Sequence, residues 1–282
     1  MKSDAGKIAG KVPGKVVAIT GGARGIGLAI ATALHASGAK VAIGDIDEAA
    51  VQHSGERLGL TVSRGLDVTD RASFTEFLDT VENELGPLDV LINNAGVIAV
   101  GSAVDEADAI TQRLLDVNIF GVILGTKLAA QRMLPRRSGH VINIASLGGI
   151  LPTEGIATYC ATKHAVLGYT DTVRMENRGR GVHFSAIMPT LTNTEMVAGI
   201  GHAKGFRNAE PEEIARAVLG VISKPQPRVI VPRAIGATVS VQRLLPQGVA
   251  EALGRVLGTG RVFTSDVKPD QRAAYARRTG TS

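Results

Sequence analysis

One cysteine, Cys160, stands in a chain of 282 residues that has no tryptophan and only 3% aromatic residues. A single thiol excludes an internal disulfide and any metal site built from several cysteines. It is compatible with a reducing cytoplasm, where the chain is expected to work. Scarce aromatics leave few platforms for stacked bases. The formal charge of +5 therefore reads as a solvated surface, and no nucleic-acid partner is expected. No uncharged apolar run reaches the roughly 18 residues that a membrane-spanning helix needs. The opening stretch MKSDAGKIAGKVPGK carries charges without an apolar centre, so no secretory signal is expected. Internal repeats and low-complexity blocks are missing too. His35, His53, His140, His183 and His202 show no ligand spacing with carboxylates or one another, which argues against a metal site.

What is present is an alternation. Short β-branched runs at Lys15–Thr20, Lys40–Gly44, Leu88–Ile92, His140–Ile144, Val182–Met188 and Arg228–Val231 read as strands. Helical patterns fit Ile26–Ser37, Arg71–Glu84, Ala107–Arg132, Ala157–Asn177 and Pro211–Ser223. Near-continuous apolar strands separated by helices imply a parallel sheet covered on both faces, an α/β doubly wound fold of the Rossmann type. No linker splits the chain, so residues 1–282 are expected to form one domain. Its core spans about 14–231, and a C-terminal helical extension spans 232–282. The apolar pattern of Ala237–Gly258 suggests one or two amphipathic helices ending near the charged stretch Ser265–Arg278.

The segment KVVAIT-GG-ARGIG reads as strand, glycine turn and helix start. Gly21 and Gly25 supply turn geometry and close backbone approach, and Gly27 lets the helix pack on the sheet. The helix N-terminus then offers N–H groups to a pyrophosphate. Asp45 follows the second strand-like run, where a carboxylate accepts from a ribose 2′-hydroxyl and repels a 2′-phosphate. That favours NAD over NADP. Arg24, inside the glycine loop, is the one residue that points the other way, since an arginine accommodates a phosphate.

Tyr159 and Lys163 lie four residues apart in Y-C-A-T-K. On a helix that step puts both side chains on one face. A cation beside a phenol favours the ionised form, so a group with a pKa of about 10 is expected to move toward neutrality. A phenol tuned that way serves as acid or base. His164 is turned away from Lys163 by one helical step, so a structural role is expected for it.

Taken together, TGGARGIG (Thr20–Gly27), Asp67–Val68, NNAG (Asn93–Gly96), Asn118, Ser146 and Tyr159-xxx-Lys163 resemble the ordered motifs of the short-chain dehydrogenase/reductase family, in its short single-domain branch. The resemblance covers about residues 14–231. It implies an oxidoreductase moving hydride between NAD(H) and a secondary alcohol or ketone. Tyr159 would be the general acid/base, and Lys163 would tune it and bind the nicotinamide ribose. Ser146 would hydrogen-bond the substrate oxygen, and Asn118 would hold a water. Gly21, Arg24, Gly25, Ile26 and Gly27 would receive the phosphates, Asp45 the ribose, and Asp67 and Val68 the adenine. Asn94, Ala95 and Gly96 would line the trough, and Pro189, Thr192 and Thr194 would cover the nicotinamide end. Thr190 stands after Pro189 where the family commonly has glycine, and Thr192 where a small aliphatic residue is usual.

The resemblance also implies a homodimer or homotetramer built on the helices carrying Asn118 and Tyr159. Apolar Leu147–Pro152 and the glycine-rich segment after Thr194 suggest a lipophilic substrate, steroid- or terpenoid-like, under a mobile lid. Three roles stay open for the tail: packing on its own domain or a sister subunit, contact with a membrane surface, and completing the substrate pocket. Two other functions also stay open, an NADPH-dependent keto-reductase and a non-catalytic NAD-binding sensor or scaffold.

Overall fold

Alternate residues of the first strand face opposite ways, and both faces are apolar. In β1 (Val16–Thr20), Val16 and Ala18 join one core while Val17 and Ile19 join another. A strand buried on both sides must sit mid-sheet with helices above and below. A computed structural model describes residues 12–201, 208–236, 248, 262–264 and 266–281 and shows that arrangement. After β1 come α1 (Gly25–Ala36), β2 (Lys40–Asp45), α2 (Glu48–Leu58), β3 (Val62–Gly65) and α3 (Arg71–Leu85). The chain continues through β4 (Val90–Asn93), α4 (Asp108–Leu115), α5 (Gly121–Met133), β5 (Gly139–Ile144) and α6 (Ala157–Glu176). It then forms β6 (Val182–Pro189), α7 (Pro211–Ser223), β7 (Arg228–Val231) and α8 (Pro269–Thr279).

Among the described residues the seven strands form one parallel sheet in the order β3-β2-β1-β4-β5-β6-β7. Helices α1 and α7 pack together on one face. Apolar side chains of α3, α5 and α6 fill the core on the other. The chain moves outward from β1 to β3, then returns to β4 on the far side of β1. This reversal is the doubly wound switch point, and it opens a crevice at the carboxyl ends of β1 and β4.

Two elements carry little periodic signal in the sequence. Strand β3 reads VSRG and buries only Val62, as expected at a sheet edge. Helix α2 buries Val51, Ser54 and Gly55, small residues that let it lie close to β3. The expected helix Ala107–Arg132 is a continuous run over 108–133, but a π turn at Asp116–Phe120 interrupts it between α4 and α5. This run is long and apolar enough to cross a membrane, with a mean hydropathy of 1.3 over its best window. Yet 56% of that window is buried inside the fold, and it carries Asp116 and Lys127. It is the central helix of the second layer. The stretch Ala237–Gly258, apart from Gly248, lies outside the described residues.

Candidate active site

At the switch point the turn after β1 passes directly into α1. Gly27 sits so close to the turn that a Cβ there would run into the Gly21 carbonyl oxygen. The first turn of α1 has neither a side-chain cap nor an acidic residue. Its N–H groups and the positive end of its dipole are therefore available to an anion. Asn94 fixes the turn from the neighbouring strand, its amide donating to the Thr20 and Gly21 carbonyls at 3.0 Å each. The Thr20 hydroxyl in turn accepts from the N–H groups of Asn94 and Ala95, both at 3.0 Å.

Asp45 ends β2 with its carboxylate held by the backbone. One oxygen accepts from the Ala23 N–H and the other from the Asp47 N–H, each at 3.1 Å. Arg24 is engaged elsewhere: its guanidinium donates to the Asp47 carboxylate at 2.6 Å. That contact holds the Asp47 carboxyl below the usual carboxylate range, helped by the Ala50 N–H it caps at the start of α2. Asp67 anchors the next strand end, accepting from the Thr69 N–H and hydroxyl at 2.9 and 2.7 Å. These groups suit a dinucleotide: N–H donors for a pyrophosphate, a fixed carboxylate for a ribose, and Val68 beside the base.

The trough opens into a cavity of about 660 Å³. Gly21, Arg24, Gly25, Ile26, Asp45, Asp67 and Val68 line it. So do Asn94, Ala95, Gly96, Pro189, Thr192 and Thr194. Gly27 lies behind the wall and shapes the turn rather than touching the cavity. Thr194 approaches the glycine turn, its methyl 3.3 Å from where a Cβ on Gly25 would be. Thr192 is buried and bridges to Ala209, with its hydroxyl donating to the Thr190 carbonyl at 3.0 Å. The path after Pro189 is therefore held by threonine hydroxyls and pairing.

Ser146, Tyr159 and Lys163 face the same cavity. Ser146 starts the short turn after β5, its oxygen accepting from the Gly148 N–H at 3.1 Å, and its hydroxyl faces the Tyr159 phenol closely enough to pull its pKa down. On α6, Lys163 lies on the Tyr159 face with its amine 5.6 Å from the ring centroid, and it donates to the Ile144 carbonyl at 3.1 Å. The expected drop of the phenol toward neutrality is not what this geometry gives. Burial pushes Tyr159 above its ordinary value, and the nearby Ser146 hydroxyl offsets only part of that. Burial also pulls Lys163 down to about 8. Both groups are desolvated together, so each is driven toward its neutral form.

Asn118 does not touch the cavity. It is 0% exposed in the π turn, and its amide is fully used. The oxygen accepts from the Val97 N–H at 2.8 Å, while the nitrogen donates to the Val97 carbonyl at 2.8 Å and the Thr162 hydroxyl at 3.2 Å. Thr162 donates in turn to the Tyr159 carbonyl at 2.7 Å. The side chain therefore has no donor left for the water it was expected to hold, and it ties α6 to the loop after β4 instead. His164 accordingly turns back on its own helix, its ring nitrogen 2.8 Å from the Cys160 carbonyl. Burial pushes the Cys160 thiol up, leaving it unactivated.

Leu147, Leu151, Pro152, Met196 and Val197 line the cavity as the apolar sequence suggests, whereas Phe206 lies outside the described residues. The sequence reading missed Val262, Phe263, Tyr275, Arg278 and Thr279, which line the cavity from the C-terminal segment. One signal was available: Pro269 at the first helical turn and Gly280 just past the end bracket α8 in the usual asymmetric way.

Comparison with known proteins agrees with this geometry. A family model described as short chain dehydrogenase matches residues 15–205. The chain is 35% identical over 221 residues to 2-(S)-hydroxypropyl-CoM dehydrogenase 3 of Xanthobacter autotrophicus, covering 77% of this chain and 87% of that one. It is 36% identical over 219 residues to a 3-alpha-(or 20-beta)-hydroxysteroid dehydrogenase of Mycobacterium tuberculosis, covering 77% and 80%. Against the probable oxidoreductase EphD of the same species it is 30% identical over 88% of this chain, yet spans only 46% of that longer sequence. A short chain dehydrogenase/reductase from Burkholderia phymatum, solved in complex with NAD, superposes with a TM-score of 0.75 at 25% identity, covering 83% of this chain and 94% of that one.

Proposed function

The chain belongs to the short chain dehydrogenase family, and from that premise we propose that it interconverts a neutral, lipophilic secondary alcohol and its ketone using NAD(H). The oxidoreductase class comes with the family. Cofactor and substrate class are read from the site. One observation carries the reading: Ser146, Tyr159 and Lys163 share a cavity with the backbone-held carboxylate of Asp45.

A nicotinamide dinucleotide bound in the trough supplies the hydride acceptor or donor. The chain's own residues handle the proton. In oxidation the Tyr159 oxygen takes the proton of the substrate hydroxyl, and in reduction it returns it. Ser146, which shares the cavity with that phenol, holds the substrate oxygen beside it. Lys163, at about 8, is mostly a cation at neutral pH and favours the phenolate electrostatically once substrate and cofactor complete the site.

Preference for NAD follows from charge. Asp45 repels a 2′-phosphate, and Arg24, the cation available to neutralise one, is paired with Asp47. The NAD complex of the Burkholderia relative supports this choice, and the hydroxysteroid activity named for the mycobacterial relative supports a lipophilic substrate. We further propose a homodimer or homotetramer. Phe120 and Met175, on the helices carrying Asn118 and Tyr159, are 48% and 60% exposed, which suits burial against a second copy.

Titrating NAD and NADP into the protein and into Asp45→Ala, then screening secondary alcohols for reduced-nicotinamide absorbance, tests the proposal. NAD is expected to bind at least tenfold more tightly, and Asp45→Ala to narrow that gap. Tighter NADP binding to the unaltered protein, or best turnover on sugars or charged acids, would overturn it.

A further inference from the structure

The far side of the cavity is built by residues beyond the family match, which ends at residue 205. We propose that the C-terminal segment is the specificity wall of the substrate site, and that the Tyr275 ring is the contact that favours large, ring-bearing alcohols or ketones over small ones. This rests on the reaction proposed above and adds what selects its substrate.

Tyr275 is only 6% exposed, yet it lines the cavity from α8. Its oxygen accepts from the Ile98 N–H at 3.1 Å. Ile98 follows Val97, whose N–H and carbonyl are both bound to Asn118. The phenol is therefore keyed to the loop that helps form the trough. It shares the cavity with Tyr159 and helps to raise that phenol.

Three further contacts make this segment a wall. Phe263 lies against Gly155, where a Cβ would collide with the Phe263 carbonyl, so the approach to α6 is shaped to receive it. Arg272 donates to the Met196 and Ala198 carbonyls at 3.0 and 3.4 Å, and Arg278 pairs with Glu195 at 2.7 Å. Together they join α8 to the turn at Glu195–Val197, which lines the cavity from the other side. The two guanidinium carbons lie over the Tyr275 ring at 5.2 and 5.8 Å from its centroid. Burial keeps that phenol neutral, pushing it up to about 12. Leu147, Leu151, Met196, Val197 and Phe263 line the same cavity, so the wall is mostly apolar, with Arg278 held in its pair with Glu195.

The test uses the full chain with NAD and a graded set of secondary alcohols: propan-2-ol, cyclohexanol and a fused-ring hydroxysteroid. Tyr275→Ala is expected to lower the ratio of kcat/KM for the fused-ring alcohol to that for propan-2-ol by about tenfold or more. The loss should be carried by KM, and Tyr275→Phe, which keeps the ring, should restore most of it. The dissociation constant for NAD should stay within about twofold, because the trough uses none of these residues. Phe263→Ala should shift the ratio the same way, and it serves as the test if Tyr275→Ala does not fold.

Equilibrium dialysis of the same alcohols against the NADH-loaded protein reads selectivity without turnover. Absence of turnover in the unaltered protein would count against the proposed reaction and leave the binding comparison standing. Unchanged selectivity in both alanine variants, or a loss equal for all three alcohols, would overturn the wall.

Discussion

The dinucleotide trough and the substrate wall meet at Tyr159 but are built by opposite means. The trough is made of strand ends and backbone groups: Asn94 on the Thr20 and Gly21 carbonyls, Asp45 on the Ala23 and Asp47 N–H groups. The wall is made of side chains arriving from far along the sequence, as in the contact between Tyr275 and Ile98, 177 positions apart. The difference follows from what each region must hold. A dinucleotide presents the same phosphates and ribose every time, so fixed backbone geometry suits it. A substrate varies, and side chains on an appended segment can change without disturbing the sheet.

The largest expected effect lies where the two regions meet. Replacing Tyr159 with Phe should lower kcat by about 10²–10⁴-fold. Cofactor affinity measured by fluorescence titration should barely move, and equal turnover in the variant would break the assignment of the proton step to this phenol. The pH profile sharpens the same point. Burial raises the phenol, so it stays protonated through neutral pH in the empty site. Alcohol oxidation needs the deprotonated form, so its kcat/KM should climb with pH, by up to about tenfold per unit below the effective pKa. Ketone reduction uses the protonated form and should not climb. A flat oxidation profile from pH 6 to 9 would contradict this.

A smaller effect separates wall from trough. Arg272 is buried, and its guanidinium satisfies two carbonyls of the Met196–Ala198 turn. Arg272→Ala should cost about 1.5–3 kcal/mol in urea unfolding, the range for hydrogen bonds to charged groups. It should also raise the substrate KM several-fold while leaving the NAD dissociation constant alone. Parallel losses in both affinities would show that the two regions are not separable. The smallest effect belongs to Arg278, whose pair with Glu195 is partly exposed. Arg278→Ala should change stability by no more than about 1 kcal/mol, as surface ion pairs do.

The trough was largely legible because its signals are local. A glycine turn between strand and helix, a carboxylate at the next strand end, and two residues four apart on one helix each carry their geometry in a few consecutive positions. Strand β3 and helix α2 escaped because their packing depends on small residues, Ser54 and Gly55 against the edge, which leave no apolar period. The π turn at Asn118 escaped for another reason. Its register is set by the bonds its amide makes to Val97 and Thr162, both distant in sequence. Arg24 could be read either way from the sequence, and its pairing with Asp47 is visible only in the fold.

Periodicity and turn chemistry were enough to establish the parallel sheet, the glycine turn that opens the first helix, and the residues that share the Tyr159 face, because these depend on neighbours along the chain. Burial had to be seen in three dimensions. Desolvation, which reverses the expected drop of the Tyr159 phenol and pulls Lys163 toward neutrality, is the sum of everything packed around those atoms. The same holds for the far wall of the cavity: only folding brings residues past 260 against loops near positions 98, 155 and 196, so no local pattern could announce that contact.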